Sequence, residues 1–156
     1  MPIHRPDTVL TKSSDGKGSP CGPFQALRFS DAGGLTQFGA FVEILPPGSS
    51  SSIKHWHAEE DEMVYMLEGE LTLHEGDTTA RLLPGEAATF KAGEARGHCL
   101  QNTSDAPAKV LIIGTRSRRE TVTYPDHDRI LTFTRDPRTA TWTDTSGAPA
   151  SNPYDI

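Results

Sequence analysis

The stretch GSSSSIKHWHAEEDEMVYMLEG, Gly48 to Gly69, carries two histidines one residue apart, then a carboxylate cluster, then an apolar run closed by glycine. In an extended strand, side chains two apart share a face, with Cα atoms roughly 6.6 Å apart. His55 and His57 can therefore converge on one metal ion. Glu62 lies five residues past His57, an odd offset that would turn it to the opposite face of one continuous strand. The polar segment Ala58-Glu59-Glu60-Asp61 is accordingly read as a turn that returns Glu62 on a neighbouring strand. His98 opens another short strand-like stretch, HCLQN, and is the fourth candidate ligand. Three imidazoles and one carboxylate form a mixed nitrogen and oxygen set. That set suits one divalent transition metal ion (Fe, Mn, Ni, Co or Zn) better than Ca or Mg.

Outward from this stretch the chain reads as short strands separated by turn residues. QFGAFVEIL (37–45) ends at Pro46-Pro47-Gly48, and MVYMLEGELTLHE reads as two strands joined in a tight hairpin at Glu68-Gly69. TARLL and AATF flank Pro84-Gly85, and AKVLIIGT follows the loop 103–107. No segment has helical periodicity, so the class is all-β, sandwich or barrel. Continuing the register from Glu62, Val64 and Met66 are expected to point inward and Tyr65 and Leu67 outward. Residues 24–30 are expected to form a first edge strand after a Ser-, Gly- and Pro-rich arm. Beyond Arg116, the chain is expected to be an irregular tail in which Ile130–Phe133 forms one extra strand and Trp142 and Tyr154 act as anchors.

The 156 residues make one domain of ordinary size. A formal charge of −6 argues against a nucleic-acid partner, because phosphate binding needs a basic surface. No apolar run approaches the roughly 18 residues of a membrane span, and MPIHRPDTVL lacks a signal-peptide layout. Cys21 and Cys99 lie in unlike contexts, so no disulfide framework is expected, and a cytoplasmic location fits.

The two motif regions resemble those of the cupin superfamily. The first motif reads Gly48, His55, His57, Glu62, Gly69, with six residues between Gly48 and His55 where five is more usual. The second reads Pro84-Gly85, Ala92-Gly93, His98 and Asn102, with Lys91-Ala92-Gly93 where a proline-containing element is usual. The resemblance implies a double-stranded β-helix, the jelly-roll barrel, spanning about 38–115. An N-terminal arm (1–37) and a C-terminal extension (116–156) flank it. It implies a metal at the barrel mouth on His55, His57, Glu62 and His98, and pairing into a homodimer. By the same resemblance the activity is that of an oxygenase, decarboxylase or isomerase. Such an enzyme would act on a small oxygenated molecule that replaces two metal-bound waters through adjacent oxygens. The alternative is a non-catalytic module that binds or senses a small molecule on the same barrel. Parity nominates Val64, Met66 and Leu100 as pocket-lining residues. Tyr65, Glu43 and Glu59 are the candidates for moving a proton.

Overall fold

A computed structural model describes residues 2–155. The strands are β1 (Thr11–Ser14), β2 (Phe24–Leu27), β3 (Phe38–Leu45), β4 (Trp56–His57), β5 (Glu62–Glu68), β6 (Leu71–Glu75), β7 (Thr78–Leu82), β8 (Ala87–Phe90), β9 (His98–Gln101), β10 (Ala108–Thr115), β11 (Arg119–Tyr124), β12 (Arg129–Arg135) and β13 (Arg138–Thr143). A single helical turn, α1 (Phe29–Ala32), precedes β3.

One sheet runs β1-β2-β3-β10-β5-β8, a second β13-β12-β11-β4 and a third β7-β6-β9. The two smaller sheets meet at an antiparallel bridge between His55 and His98, and together they face the six-stranded sheet. Between the layers lies an apolar cluster that includes Leu45, Val64, Met66, Leu71, Leu100 and Val110. Strict alternation builds it. Along β10, Ala108, Val110 and Ile112 are buried while the residues between them are not, and along β5 the buried pair is Val64 and Met66. This is the all-β double-stranded β-helix that the motifs imply.

Three sequence expectations change here. The turn at Glu68-Gly69 does not close a hairpin: β5 pairs with β10 and β8, and β6 pairs with β7 and β9. The chain crosses from one layer to the other at this point. Gly69 makes the crossing possible, with φ at +75° and its α-carbon packed so closely that an added Cβ would meet the Pro107 carbonyl oxygen at 2.8 Å. The arm is not irregular throughout, because β1 takes the sheet edge and β2 lies inside it. The tail forms three antiparallel strands rather than one. RETVTY, RILTFTR and RTATWT are polar by composition but rich in threonine, whose branched Cβ favours extended backbone. Trp142 and Tyr154 do anchor the tail, packing on Tyr124 at ring-centroid distances of 5.4 and 5.8 Å. Arg116 pairs with Asp31 at 2.6 Å and ties α1 to the end of β10. Cys21 and Cys99 are both free, as expected.

Replacing Gly69 with alanine should lower stability by about 1–3 kcal/mol, because both φ and contact oppose a side chain. Gly85 also has positive φ but has open space around it, so Gly85→Ala should cost less. Equal losses by urea unfolding would mean that the close approach to Pro107 contributes nothing.

Candidate metal centre

The bridge between His55 and His98 is a two-way backbone pair, His55 N–H donating to His98 at 3.1 Å and His98 N–H to His55 at 2.8 Å. Residues paired in this way put their side chains on one face, and the two imidazole centroids stand 4.8 Å apart. Just beyond the bridge, β4 brings in His57, whose ring lies edge-on to His55 at 4.9 Å. The turn after His57 is a sharp one. It returns the chain as β5, and the first residue of β5 is Glu62.

Glu62 Oε1 lies 3.2 Å from His98 Nε2, and Oε2 lies 3.8 Å from His57 Nε2. Ligand atoms of His55, Glu62 and His98 all fall within 4.8 Å of one another. Atoms bound to one ion at about 2.1 Å are separated by no more than about 4.2 Å, so small side-chain movements bring this set to coordination distance. His57 shares a second group with Glu60 and Glu120, its Nδ1 3.8 Å from Glu120 and its Nε2 3.8 Å from Glu62. The four motif residues thus stand together, with His57 at the border of a second acidic cluster.

Each imidazole is held differently. His55 Nδ1 is 3.0 Å from the Ile53 carbonyl, which can only accept, so Nδ1 carries the proton and Nε2 keeps its lone pair. The His98 ring stacks on Phe90 at 3.6 Å with an interplanar angle of 2°, and its buried Nδ1 has no protein partner. Burial, reinforced by the charge of His98, holds His55 down to about 4, so it stays neutral and ligand-ready at physiological pH. Burial alone would raise Glu62, but the hydrogen bond with His98 and the neighbouring imidazoles outweigh it and hold the carboxyl below its ordinary value. A neutral His55 beside an ionised Glu62 is the pair of protonation states that a divalent ion requires. The donor set therefore fits such an ion, including Fe, Mn, Ni, Co or Zn.

Glu62 opens onto a cleft of about 770 Å³, walled also by Lys12, Phe24, Phe41, Glu43 and Arg138. Glu43 is 6% exposed and its Oε2 has no partner. Burial, with the nearby charge of Glu62 second, pushes Glu43 up to about 8. The other two proton-moving candidates lie elsewhere. Tyr65 is on the outer face of the sheet at 39% exposure. Glu59 is solvent-exposed in the turn and offers its backbone N–H to Glu120. Val64, Met66 and Leu100 do point inward, but they are 1%, 0% and 2% exposed and belong to the sealed core beneath the mouth. Parity identifies their face and not their depth.

Two carboxylates in this region escaped the sequence reading. Glu60, taken for a solvated turn residue, is buried and accepts from Ser117 and Arg135 at 2.8 and 2.5 Å. Glu120 is fully buried. Its signal was present: in RETVTY it shares the inward phase with Val122 and Tyr124.

A family profile describing the cupin domain matches residues 41–114. The fold matches a sugar phosphate isomerase of the cupin superfamily from Silicibacter pomeroyi, with 33% identity, a TM-score of 0.83, and coverage of 96% of this chain and 97% of that one. It also matches a candidate sugar phosphate isomerase from Acidithiobacillus ferrooxidans at 25% identity and TM-score 0.75, over 83% and 81% of the two chains. A predicted oxalate decarboxylase from Thermotoga maritima shares the fold at 22% identity and TM-score 0.61, over 74% of this chain and 99% of that one. No curated protein matches the chain. The chain belongs to the cupin superfamily.

A raised carboxyl makes the folded protein hold a proton that the unfolded chain releases. Stability from Glu43 is therefore full below the unfolded value of about 4.5 and is lost as pH rises through about 8. In chelator-treated protein, Glu43→Gln should remove this loss, so its unfolding midpoint relative to wild type should rise between pH 5 and pH 8.5. A constant difference across that range would show that Glu43 titrates normally.

Proposed function

We propose that this chain is a metal-dependent cupin enzyme acting on a small oxygenated molecule, and that among the oxygenase, decarboxylase and isomerase reactions it carries out an isomerisation of a phosphorylated sugar. The observation that carries the reading is the convergence of His55, Glu62 and His98, with His57 beside them, where Glu62 opens onto the cleft. The near full-length likeness to a sugar phosphate isomerase supports the choice among reactions.

His55, His57, Glu62 and His98 are the residues that would hold the ion. When bound, a divalent ion supplies Lewis-acid polarisation of adjacent substrate oxygens. The remaining work belongs to the chain. Aldose–ketose interconversion moves a proton between neighbouring carbons, so one side chain must take it and return it. Glu43 has the placement for this: it lines the same cleft as Glu62, on the inner face of the sheet, with one carboxyl oxygen uncommitted. Of the cations lining the cleft, Arg28 and Arg116 pair with Asp31 and Arg135 with Glu60, while Lys12 and Arg138, with no ion-pair partner among the described residues, offer charge to a phosphate group. Phe24 and Phe41 add apolar wall that keeps bulk water from the reacting carbons.

A homodimer is part of this reading. The outer face of β5 exposes Met63, Tyr65 and Leu67 at 37%, 39% and 39%. Tyr65 lines up with Leu111 and Val42 across the sheet, forming a continuous apolar row that a second copy would cover. Light scattering that shows monomer at micromolar concentration would remove the dimer and leave the site untouched.

Protein prepared without chelator or affinity tag should carry about one equivalent of a divalent transition metal on its four mixed nitrogen and oxygen donors, and the double change His55→Ala, His98→Ala should abolish it. Glu43→Gln should keep the metal and lower the turnover of aldose phosphates by about 10²-fold or more. Full turnover in Glu43→Gln would dismiss Glu43. Tight binding of sugar phosphates with no turnover in the metal-loaded wild type would instead establish the binding-module alternative.

A further inference from the structure

We infer that Glu120, a residue outside both metal-binding motifs, is the positioning residue that fixes the tautomer and orientation of His57. The inference rests on the metal reading above for its purpose, but on the protein's own contacts for its geometry.

Glu120 is fully buried, in the middle of the second layer. A buried carboxylate needs several donors, and Oε1 has three: the backbone N–H groups of Ala58 at 3.0 Å, Glu59 at 3.0 Å and Thr121 at 2.6 Å. Oε2 is left with a longer contact to Glu59 N–H at 3.3 Å and faces His57 Nδ1 at 3.8 Å. His57 Nδ1 is itself buried and has no hydrogen-bond partner. A carboxylate oxygen with one long hydrogen bond and an imidazole nitrogen with none thus face each other.

The strand register enforces the meeting. Val122 of β11 pairs with His57 of β4, so Glu120, two residues before Val122, is the diagonal neighbour of His57 on the same face. A closer approach of about 1 Å makes the contact a hydrogen bond. An anion on that side favours the proton on Nδ1; Glu62, equally 3.8 Å from Nε2, opposes this in the free protein, and an ion held between Nε2 and Glu62 would remove that opposition. Glu120 therefore has two jobs. Oε1 ties the turn after His57 to β11, and Oε2 orients the imidazole.

Glu120→Gln separates the two. The amide oxygen can still accept the three backbone N–H groups, while the amide nitrogen presents a donor where His57 needs an acceptor. The unfolding midpoint should stay close to wild type. Affinity for Zn(II) and Mn(II), measured by competition with a chelating dye, should fall about 10- to 100-fold. In metal-free protein at pH 8 carrying Glu62→Ala, which removes the second carboxylate facing the ring, the imidazole 15N spectrum should show Glu120→Gln moving His57 from the Nδ1–H to the Nε2–H tautomer. Glu120→Asp, which keeps the anion, should restore the tautomer at least in part.

An unchanged His57 spectrum in Glu120→Gln overturns the inference and leaves Glu120 as a turn anchor. A switched tautomer with unchanged affinity in a metal-binding wild type overturns it equally, since His57 would then not be a ligand. If the wild type takes up neither ion, the metal reading fails, but the tautomer switch still decides the Glu120–His57 pair.

Discussion

The site depends first on a backbone contact, the reciprocal hydrogen bonds between His55 and His98. These bonds join the two smaller sheets into one layer and set the separation of two candidate ligands by backbone rather than side-chain geometry. The two strands do not run evenly away from the bridge. Ser50 pairs with Gln101, so five positions separate Ser50 from His55 while three separate Gln101 from His98. The two surplus residues on one side interrupt the ladder between the bridges. The interruption leaves the Ile53 carbonyl beneath His55, where it accepts from Nδ1. The irregularity thus orients the first histidine, and the bridge locates it against the second.

Polar groups gathered at the end of an apolar core carry a desolvation cost. Among the described residues, buried side-chain atoms without a partner are Glu43 Oε2, Ser49 Oγ, His57 Nδ1 and His98 Nδ1. Three of these four belong to the mouth or its cleft. Elsewhere buried polar groups are well supplied: Asn102, fully buried, donates to the carbonyls of Leu45 and Ala106 and accepts from Ser104. The contrast separates a polar residue that secures the fold from polar groups that the mouth leaves without a protein partner, of which Glu43, with Oε2 unpartnered, lines the cleft. The core beneath, with Met66, Leu71 and Val110 almost fully sealed, supplies the stability that lets the mouth stay open in this sense.

How far the sequence reaches follows from the same physics. His55, His57, Glu62 and His98 are legible because ligand chemistry demands particular residue types at particular spacings, and the intervening strands are short enough for parity to survive. Depth is not legible. Met66 and Glu43 both face inward, yet one is sealed in the core and the other opens to the cleft, and only the packing of the two layers distinguishes them. Sheet membership is not legible either. Glu68-Gly69 has the composition of a hairpin turn, but the partners of β5 and β6 lie far along the chain, and loop composition carries no information about them. The tail's strands are hidden to hydrophobicity, because their composition is polar, and visible to alternation. Read by alternation, RETVTY is a strand with a carboxylate in its buried phase.

That carboxylate shows why the extensions belong to the site. The segment matching the cupin profile, residues 41–114, contains every candidate metal ligand. It does not contain the partner of β4. The two-residue strand that carries His57 is the edge of its sheet, and the strand it pairs with is β11 from the extension. The turn from His57 to Glu62 is tied down from the same side, by Glu120 on Ala58 and Glu59 and by Ser117 and Arg135 on Glu60. Lys12 and Phe24 from the arm, and Arg138 and Tyr154 from the extension, form walls of the cleft. The barrel motif therefore supplies the candidate donor atoms, while the added strands pair with the strand that carries one of them and shape the cleft in front of Glu62. Two chains with the same four ligands but different extensions would share a metal chemistry and differ in what reaches it.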